Sequence, residues 1–552
     1  MSKPIESERS FLGINHLSLR GILIGMLGSG IITASSMYVA LRISALPWPT
    51  IFGAVLSMAL LKALGKTTLN EINIAQTGMS AGAMIAGGLA FTLPGLWITG
   101  QWEGVSMMAD HIWEVMAIAM AGMILGTVLT WFLRLRFIEG EQLPYPIGAA
   151  AAETLVAGDS GGKKSAILFI TMGLSTVFTF LRDSVGIIPP ALVSNWLYTR
   201  NYFVGIWFSP MAAGIGFMIG TLYMGVWFLG SLLSYLVIIP IGHTMGLFPS
   251  VEAAIVFKNT AGIGLMVGTG AGILISFIGS TLKKYLARRV ALTSTQNSSQ
   301  IGKTASKHLL ITLPVAAAFV ITVLSGLGIV PSLLLMAGVF AASAMAATIT
   351  GQTGINPMEI FGIIVLLAIR AIVNVDITGA FLIAACVAVA CGYAGDLLND
   401  YKTGHILGTS PVAQLVSQVA GGIVGTVIAS AALFAVIGQF GGVGPDTGLP
   451  AGQAFAVSQM VNGIGSPTIF SIAVAFGALL YLLKVPSMTL GIGMYLPFEI
   501  SSIAFLGGLT RFAVDRIRPK SVETGNIAAS GFLGGEGITG VTVAIIKMIT
   551  GG

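Results

Sequence analysis

Four ionisable side chains gather in the stretch GDLLNDYKTGHILGTSP, Gly395 to Pro411, directly after the uncharged run TGAFLIAACVAVACGYA. Asp396 and Asp400 are four residues apart, so on a helix they share one face. A carboxylate pair in a low-dielectric setting is suited to taking up a proton on one side of a barrier and releasing it on the other. Lys402 offers a cation to an anionic substrate group, and His405 is the side-chain type that ordinarily titrates near neutral pH. The plainer reading is a solvated helix end laced with salt bridges, since charges commonly flank a spanning helix.

Composition decides what kind of element must position these residues. The chain has 552 residues, 55% hydrophobic and 9% charged, with mean hydropathy +0.92, whereas soluble domains carry roughly 25% charged residues. Uncharged runs such as GILIGMLGSGIITASSMYVAL and LVSQVAGGIVGTVIASAALFAVIG recur from end to end, each long enough to cross a bilayer. They are continuous rather than alternating, which points to spanning helices and not to a barrel. The expected fold is an all-α polytopic transmembrane bundle of about 14 to 16 helices by the length rule. The 73 glycines add close helix packing and broken or re-entrant segments.

The formal charge of +6 fits a positive-inside bias rather than nucleic-acid binding. The linker 283–306 is rich in lysine and arginine and carries no acid, so it is expected in the cytoplasm together with the N-terminus, in a multi-pass protein of the plasma (inner) membrane. The segment MSKPIESERSFLGINHLSLR does not read as a removable signal. Cys386 and Cys391 read as reduced core residues.

An internal repeat links the opening segment to the rest. NIAQTGMSAG (73–82) matches NDYKTGHILG (399–408) with an offset of 399 − 73 = 326, PTIFG (49–53) matches PMEIFG (357–362), and LPYPIGAAAAETLVAG (143–158) matches LPAGQAFAVSQMVNG (449–463). GLMVGTGAGI (264–273) matches FLGGEGITG (532–540). Two transmembrane repeats, 15–282 and 307–550, are therefore expected to flank the basic linker. In transporters built from repeats the substrate site lies between them near the midplane. Asn73, Gln76 and Thr77 from one copy, with Asn399, Lys402, Thr403 and His405 from the other and Tyr145 of the LPYP turn, are the candidates to line it. Asp396, Asp400, Glu153 and Glu536 are the candidates for proton handling. Lys258, Glu359, Arg370 and Asp376 mark helix ends or internal ion pairs, with a smaller claim on substrate.

Rival chemistries leave weaker traces. LKALGKTTLN has GKT at 65–67 but Leu60 where a P-loop needs its first glycine, so no phosphate cradle is expected. The chain lacks the Tyr-Asp dipeptide of intramembrane aspartyl proteases, and GYAGD has the wrong spacing for their second motif. A channel differs from a carrier only in flux coupling. The five histidines form no cluster, so no metal site and no cofactor are expected, and no enzymatic activity.

GDLLNDYKTGHILGTSPVAQLVSQVAGGIVGT resembles the D-x-x-x-D-[FY]-K-T-G-[HY]-x-x-x-[TA]-S-P segment of the oligopeptide transporter family, in particular its yellow stripe-like branch and bacterial relatives. EQLPYPIGAAAAETL resembles that family's L-x-Y-P-S-G-x-A segment, with Ile147 where serine is usual. NIAQTGMSAGAMIAGG resembles its N-x-x-x-Q-T segment, and NYFVGIWFSPMAAGIGFMIG its Y-V-G-x-G segment. The resemblance implies a proton-coupled importer of short peptides or peptide-like metal chelates, with helices at the upper end of the range above. The peptide branch's Asn-Pro-Gly and Lys-Ile-Pro-Pro-Arg motifs are absent. Expected partners are the substrate, protons and lipid, without nucleic acid, and homo-oligomerisation is left open.

Overall fold

Helix accounts for most of the described residues, as the apolar runs require. The computed structural model describes residues 13–43, 46, 49–103, 108–160, 162–291, 304–444, 447, 449–461 and 466–550. The chain opens with α1 (Leu19–Ile43), α2 (Pro49–Ala63), α3 (Leu69–Ala90) and the single turn α4 (Gly95–Ile98), followed by α5 (Met108–Arg134), α6 (Pro146–Ser160) and α7 (Gly162–Phe180). Strands β1 (Ala191–Val193) and β2 (Gly205–Trp207) pair antiparallel, with the turn α8 (Asn195–Tyr198) between them. Next come α9 (Pro210–Ile219), α10 (Thr221–Leu232), α11 (Ile239–Thr244) and α12 (Val251–Ala291). The second part holds α13 (Thr304–Thr322), α14 (Ile329–Thr353), α15 (Met358–Arg370), α16 (Ile377–Leu407) and α17 (Pro411–Gln439). It closes with α18 (Gly452–Val461), α19 (Pro467–Leu482), α20 (Ser487–Tyr495), α21 (Phe498–Ile517) and α22 (Val522–Thr550).

Among the described residues nine helical stretches are long and apolar enough to cross a bilayer, and four further apolar helices are shorter. The short ones begin at prolines or lie beside breaks such as Gly220, whose φ of 90° separates α9 from α10. Helix α12 continues through the first third of the basic linker to Ala291, and α13 resumes at Thr304. Residues 292–303 and the side chains of Lys283, Lys284, Arg288, Arg289, Lys303 and Lys307 lie outside the description.

The radial distribution of side chains is that of a protein solvated by lipid. Leu19, Leu23, Leu27 and Ile31, spaced four apart along α1, are all exposed. The opposite side of α1 carries small and polar residues against the core, with Ser29 and Thr33 fully buried. Large apolar side chains outward and small or hydroxylated ones inward is the arrangement that lets helices approach where lipid tails already satisfy the apolar groups. Many of the buried hydroxyls bond main-chain carbonyls, as burial away from water favours, although Thr33 Oγ1 has no hydrogen-bond partner. Thr77 Oγ1 bonds Asn73 O at 2.9 Å and Ser29 Oγ bonds Gly421 O at 2.8 Å.

Close contacts reveal the sense in which helices run. A methyl placed on Gly21 would meet Glu71, one on Gly25 would meet Ala75, and one on Gly28 would meet Met79, so α1 and α3 are parallel. Gly78 faces Ser417 and Gly82 faces Gly425, making α3 parallel to α17. Gly126 packs on Ala390 and Tyr393, following Gly122 on Val389, so α5 is parallel to α16. Between α3 and α16 the order reverses: Gly88 lies against Val389, Met84 against Gly392, and Gln76 against Asp400. These two central helices cross antiparallel, both buried along most of their length.

Candidate functional site

Caps and glycines set where α3 and α16 meet. Thr68 caps α3 by accepting from Glu71 N at 3.2 Å, and Asp376 caps α16 by accepting from Gly379 N at 3.1 Å. Gly408, at φ 75°, ends α16 in the left-handed conformation that glycine adopts without penalty. Asp376 is thus a helix start, as its position suggested, and Arg370 closes α15 by donating to Val461 O at 2.7 Å.

The antiparallel crossing brings Gln76 to Asp400. Gln76 Nε2 donates to Asp400 Oδ1 at 2.9 Å, and Asn73 Nδ2 donates to Gln76 Oε1 at 3.2 Å. Gln414, on α17, clamps the pair from the side: its Nε2 donates to Thr77 Oγ1 at 3.1 Å and to Asp400 O at 2.8 Å. Asn73, Gln76, Thr77 and Asp400 are all 0% exposed. The hydroxyls of Ser80 and Thr50 lie beside the Asp400 carboxyl, yet Asp400 Oδ2 has no hydrogen-bond partner. Among the described residues no basic side chain lies within ion-pair distance of Asp400 or Asp396. A carboxylate has about four acceptor sites, and burying one without donors or a counter-charge is costly.

The remaining polar residues of α16 point elsewhere, because successive residues on a helix turn by about 100°. Asp396, half-buried, accepts from Asn356 Nδ2 at 2.9 Å in the loop before α15, whose buried Glu359 lies in the first turn. Asn399 Oδ1 accepts from Gly148 N at 3.1 Å, and Thr403 Oγ1 donates to Gly148 O at 2.9 Å. Lys402 Nζ donates to Leu143 O at 3.0 Å. These three bonds hold the LPYP turn and the start of α6 against α16. Tyr145, fully buried at φ 43°, locks the same turn onto α14 through Tyr145 N to Gly351 O at 2.9 Å and Tyr145 Oη to Ala347 O at 2.8 Å. Ala451 in the matching LPAG turn has φ 42° and donates from its N to Leu41 O at 2.8 Å on α1. Left-handed backbone at a non-glycine residue costs about 1 kcal/mol or more, and two such turns dock on two such helices.

His405 is exposed and lines a cavity of about 230 Å³ with Arg134, Glu139, Tyr401, Thr409 and Pro411. Arg134 is paired with Glu139, and Tyr401 Oη donates to Gln418 Oε1 at 2.8 Å. Glu153 lies half-buried on α6. Both cysteines are buried with free thiols, and no cluster of metal-ligating side chains occurs among the described residues.

Glu536 forms a separate centre. Its carboxylate accepts from Ser209 Oγ at 2.9 and 3.0 Å and from Met211 N at 2.8 Å, at the start of α9, and pairs with Arg182 Nη2 at 3.0 Å. Arg182 also chelates Asp183 and donates to Phe208 O. The matching position Thr269 bonds Ser487 Oγ at 2.8 Å, at the start of α20. Arg182 and Gln414 escaped the reading of the sequence. The signal for Arg182 was an Arg-Asp pair inside the otherwise apolar segment FTFLRDSVGI, whereas nothing in SPVAQLVSQ distinguished Gln414 from an ordinary lipid-boundary glutamine. Removing one member of a buried ion pair strands the other, so Arg182→Met should destabilise by about 3–5 kcal/mol and Arg182→Met with Glu536→Leu by much less. Thermal unfolding of the four purified proteins in one detergent checks the cycle; additive losses would mean the pair is not coupled.

The helix starts also correct one feature of the repeat. Leu69 and Ile377 open α3 and α16 at an offset of 377 − 69 = 308, as for Pro49 and Pro357. The two N-x-x-[QK]-T-G segments, 326 apart, therefore lie opposite each other across the crossing and do not occupy matching places along their helices.

Comparison with known proteins places the sequence in a family. The sequence model described as OPT oligopeptide transporter protein matches residues 16–547. The chain belongs to the OPT oligopeptide transporter family. A relative in Haemophilus influenzae, described as "Putative oligopeptide transporter", is 26% identical over 602 residues, covering 94% of each chain. The family match runs through every element of the OPT chain described above, from the residues before α1 to the last turns of α22. The OPT chain is a multi-pass helical membrane transporter, and the D-x-x-x-D-Y-K-T-G segment is the stretch of α16 that faces Gln76, Gly148 and Asn356.

Proposed function

We propose that this transporter is a proton-coupled symporter importing short oligopeptides or closely peptide-like compounds across the plasma membrane. The observation that carries the reading is the buried Asp400 carboxyl, bonded to Gln76 on one oxygen and without partner or counter-charge on the other. A proton on Oδ2 converts that unmet acceptor into a donor directed at Ser80 and Thr50, so the same site accommodates two protonation states with different bonding. Asp396, one turn away, is half-buried and relays protons between Asp400 and the aqueous side. The substrate class comes from the relative in Haemophilus influenzae and from the family.

Alternating access in this reading moves two repeats, about 15–282 and 307–550, against each other with the linker and N-terminus in the cytoplasm. Support comes from the 308-residue offset of the helix starts, the paired turns at Tyr145 and Ala451, and the reversed sense of α3 and α16. Such an inverted arrangement puts the substrate site at the repeat interface. Asn73, Gln76, Thr77, Tyr145, Lys402, Thr403 and His405 would line it as α6 and the LPYP turn withdraw from α16. Glu153 on α6 would gain access to the same opening, and Glu536 with Arg182 holds α9 against α22 in the closed form.

Purified protein in proteoliposomes, supplied with labelled di- to pentapeptides, tests this. Accumulation above equilibrium under an inward acid gradient, abolished by a protonophore, is expected. Equilibration that ignores the gradient would instead mark a channel or uniporter. Peptide uptake outcompeted by a ferric or nickel chelate, but not by other peptides, would transfer the reading to metal chelates.

A further inference from the structure

A buried ammonium group at the α20–α21 break is not used by the cycle above. Lys258, on α12, is 3% exposed. Its Nζ donates to Tyr235 Oη at 2.9 Å, to Met494 O at 3.0 Å and to Tyr495 O at 3.1 Å, and lies 4.5 Å from the Tyr235 ring centroid. Among the described residues no carboxylate lies within ion-pair distance of it. Other ionisable groups sit on the elements packed around it. Glu499 on α21 accepts from Tyr198 Oη at 2.5 Å, and Glu359 on α15 acts on Tyr495. Glu252 lies in the first turn of α12 with His243 of α11 near it, and Tyr481 of α19 packs farther along α12, beside Gly272.

Met494 and Tyr495 are the last residues of α20, and the chain turns at Leu496 and Pro497 into α21. Carbonyls at a helix C-terminus lack intrahelical donors and carry partial negative charge. In carriers with broken helices such carbonyl ends hold monovalent cations. We propose that Lys258 is a tethered cation filling a monovalent-cation site at the carboxyl end of α20, and that gain and loss of its proton latch and release the broken helix formed by α20 and α21. The ammonium group has three N–H donors for three oxygens. The neutral amine has two donors, and Tyr235 Oη can donate to its lone pair only by giving up its own bond to Leu496 O at 3.1 Å. Deprotonation therefore costs one bond and the charge–dipole attraction at once. Close packing leaves no slack to absorb that loss: a methyl on Gly491 would lie 2.7 Å from Gly262 O.

The latch stands apart from the symport reading, and only its effect on transport rests on that reading. Hydrogen exchange of residues 487–517 in the full-length protein, reconstituted in nanodiscs and corrected for intrinsic rates, is measured across the pH range in which Lys258 loses its proton. Wild-type protection should fall by about tenfold or more across that range, as expected when a local opening equilibrium loses its anchor. Lys258→Arg, which keeps its charge throughout, should stay protected, and Lys258→Gln should be unprotected at every pH. A Lys258→Arg curve that falls like wild type, or a Lys258→Gln protein as protected as wild type, overturns the proposal. In vesicles, Lys258→Arg should lose acid-driven accumulation although folded, and wild-type accumulation by that variant also counts against the latch. If wild-type protein itself shows no proton-driven accumulation, the symport reading fails while the exchange curves still decide the latch.

Discussion

Asp400→Asn is expected to abolish acid-driven accumulation while leaving a folded protein that still equilibrates substrate. The substitution is nearly isosteric, and the asparagine carbonyl can keep the bond from Gln76 Nε2, now 2.9 Å from Asp400 Oδ1. Lost is the ability to exist with and without a proton at a position that is 0% exposed and has no basic partner among the described residues. With one proton per substrate, a gradient of one pH unit supports about tenfold accumulation, equivalent to about 1.4 kcal/mol. The variant should reach only equal concentrations on the two sides, with substrate exchange retained. Asp396→Asn should have a smaller effect, because that residue is half-buried and Asn356 already supplies a donor to it. Uphill uptake by Asp400→Asn equal to that of wild type would remove this carboxyl from the coupling mechanism.

Gly421→Val is expected to have the largest effect on folding. Helices α3 and α17 touch backbone to backbone: a methyl at Gly421 would stand 2.0 Å from Gly78 O, and one at Gly425 would stand 2.3 Å from Gly82 Cα. No side chain can yield there, since both neighbours are main chain. Overpacking a tight core costs about 1–3 kcal/mol where side chains can adjust, so a contact that must separate two helices should exceed that range. Separation would also pull Gln414 away from Thr77 and Asp400. The expected outcome is loss of monodisperse protein on extraction, or a sharply lowered melting temperature with loss of uptake. Gly173→Ala on α7 is the control, because nothing lies within 4 Å of the added methyl and alanine favours helix by about 1 kcal/mol. Unchanged melting for Gly421→Val would show that α3 and α17 are not held as closely as their glycines allow.

Much of this arrangement is legible in the chain itself. Hydropathy and the scarcity of charge determine a helical membrane protein, because lipid leaves backbone groups no other way to bond. The D-x-x-x-D-Y-K-T-G segment marks the helix that carries the buried Asp400, and the order of four weak repeats points to matching elements. The glycines in NIAQTGMSAG and QVAGGIVGT announce close helix contacts without naming the partners. Local rules also identify Asp376 as a cap and Pro146 as a helix start.

Tertiary structure alone decides which side chains face each other. Asp400 lies one residue from Asn399 and two from Lys402, yet it meets α3 while they meet the LPYP turn and the start of α6, because the helical turn per residue separates their directions and long-range packing supplies the neighbour. The pairing of Gln76 with Asp400 depends on α3 and α16 crossing antiparallel, a relation between segments 324 residues apart that no local pattern encodes. Arg182 against Glu536 and Lys258 against the end of α20 are of the same kind. A sequence period sets the face a residue occupies; the identity of the opposing surface follows only when the whole chain is folded.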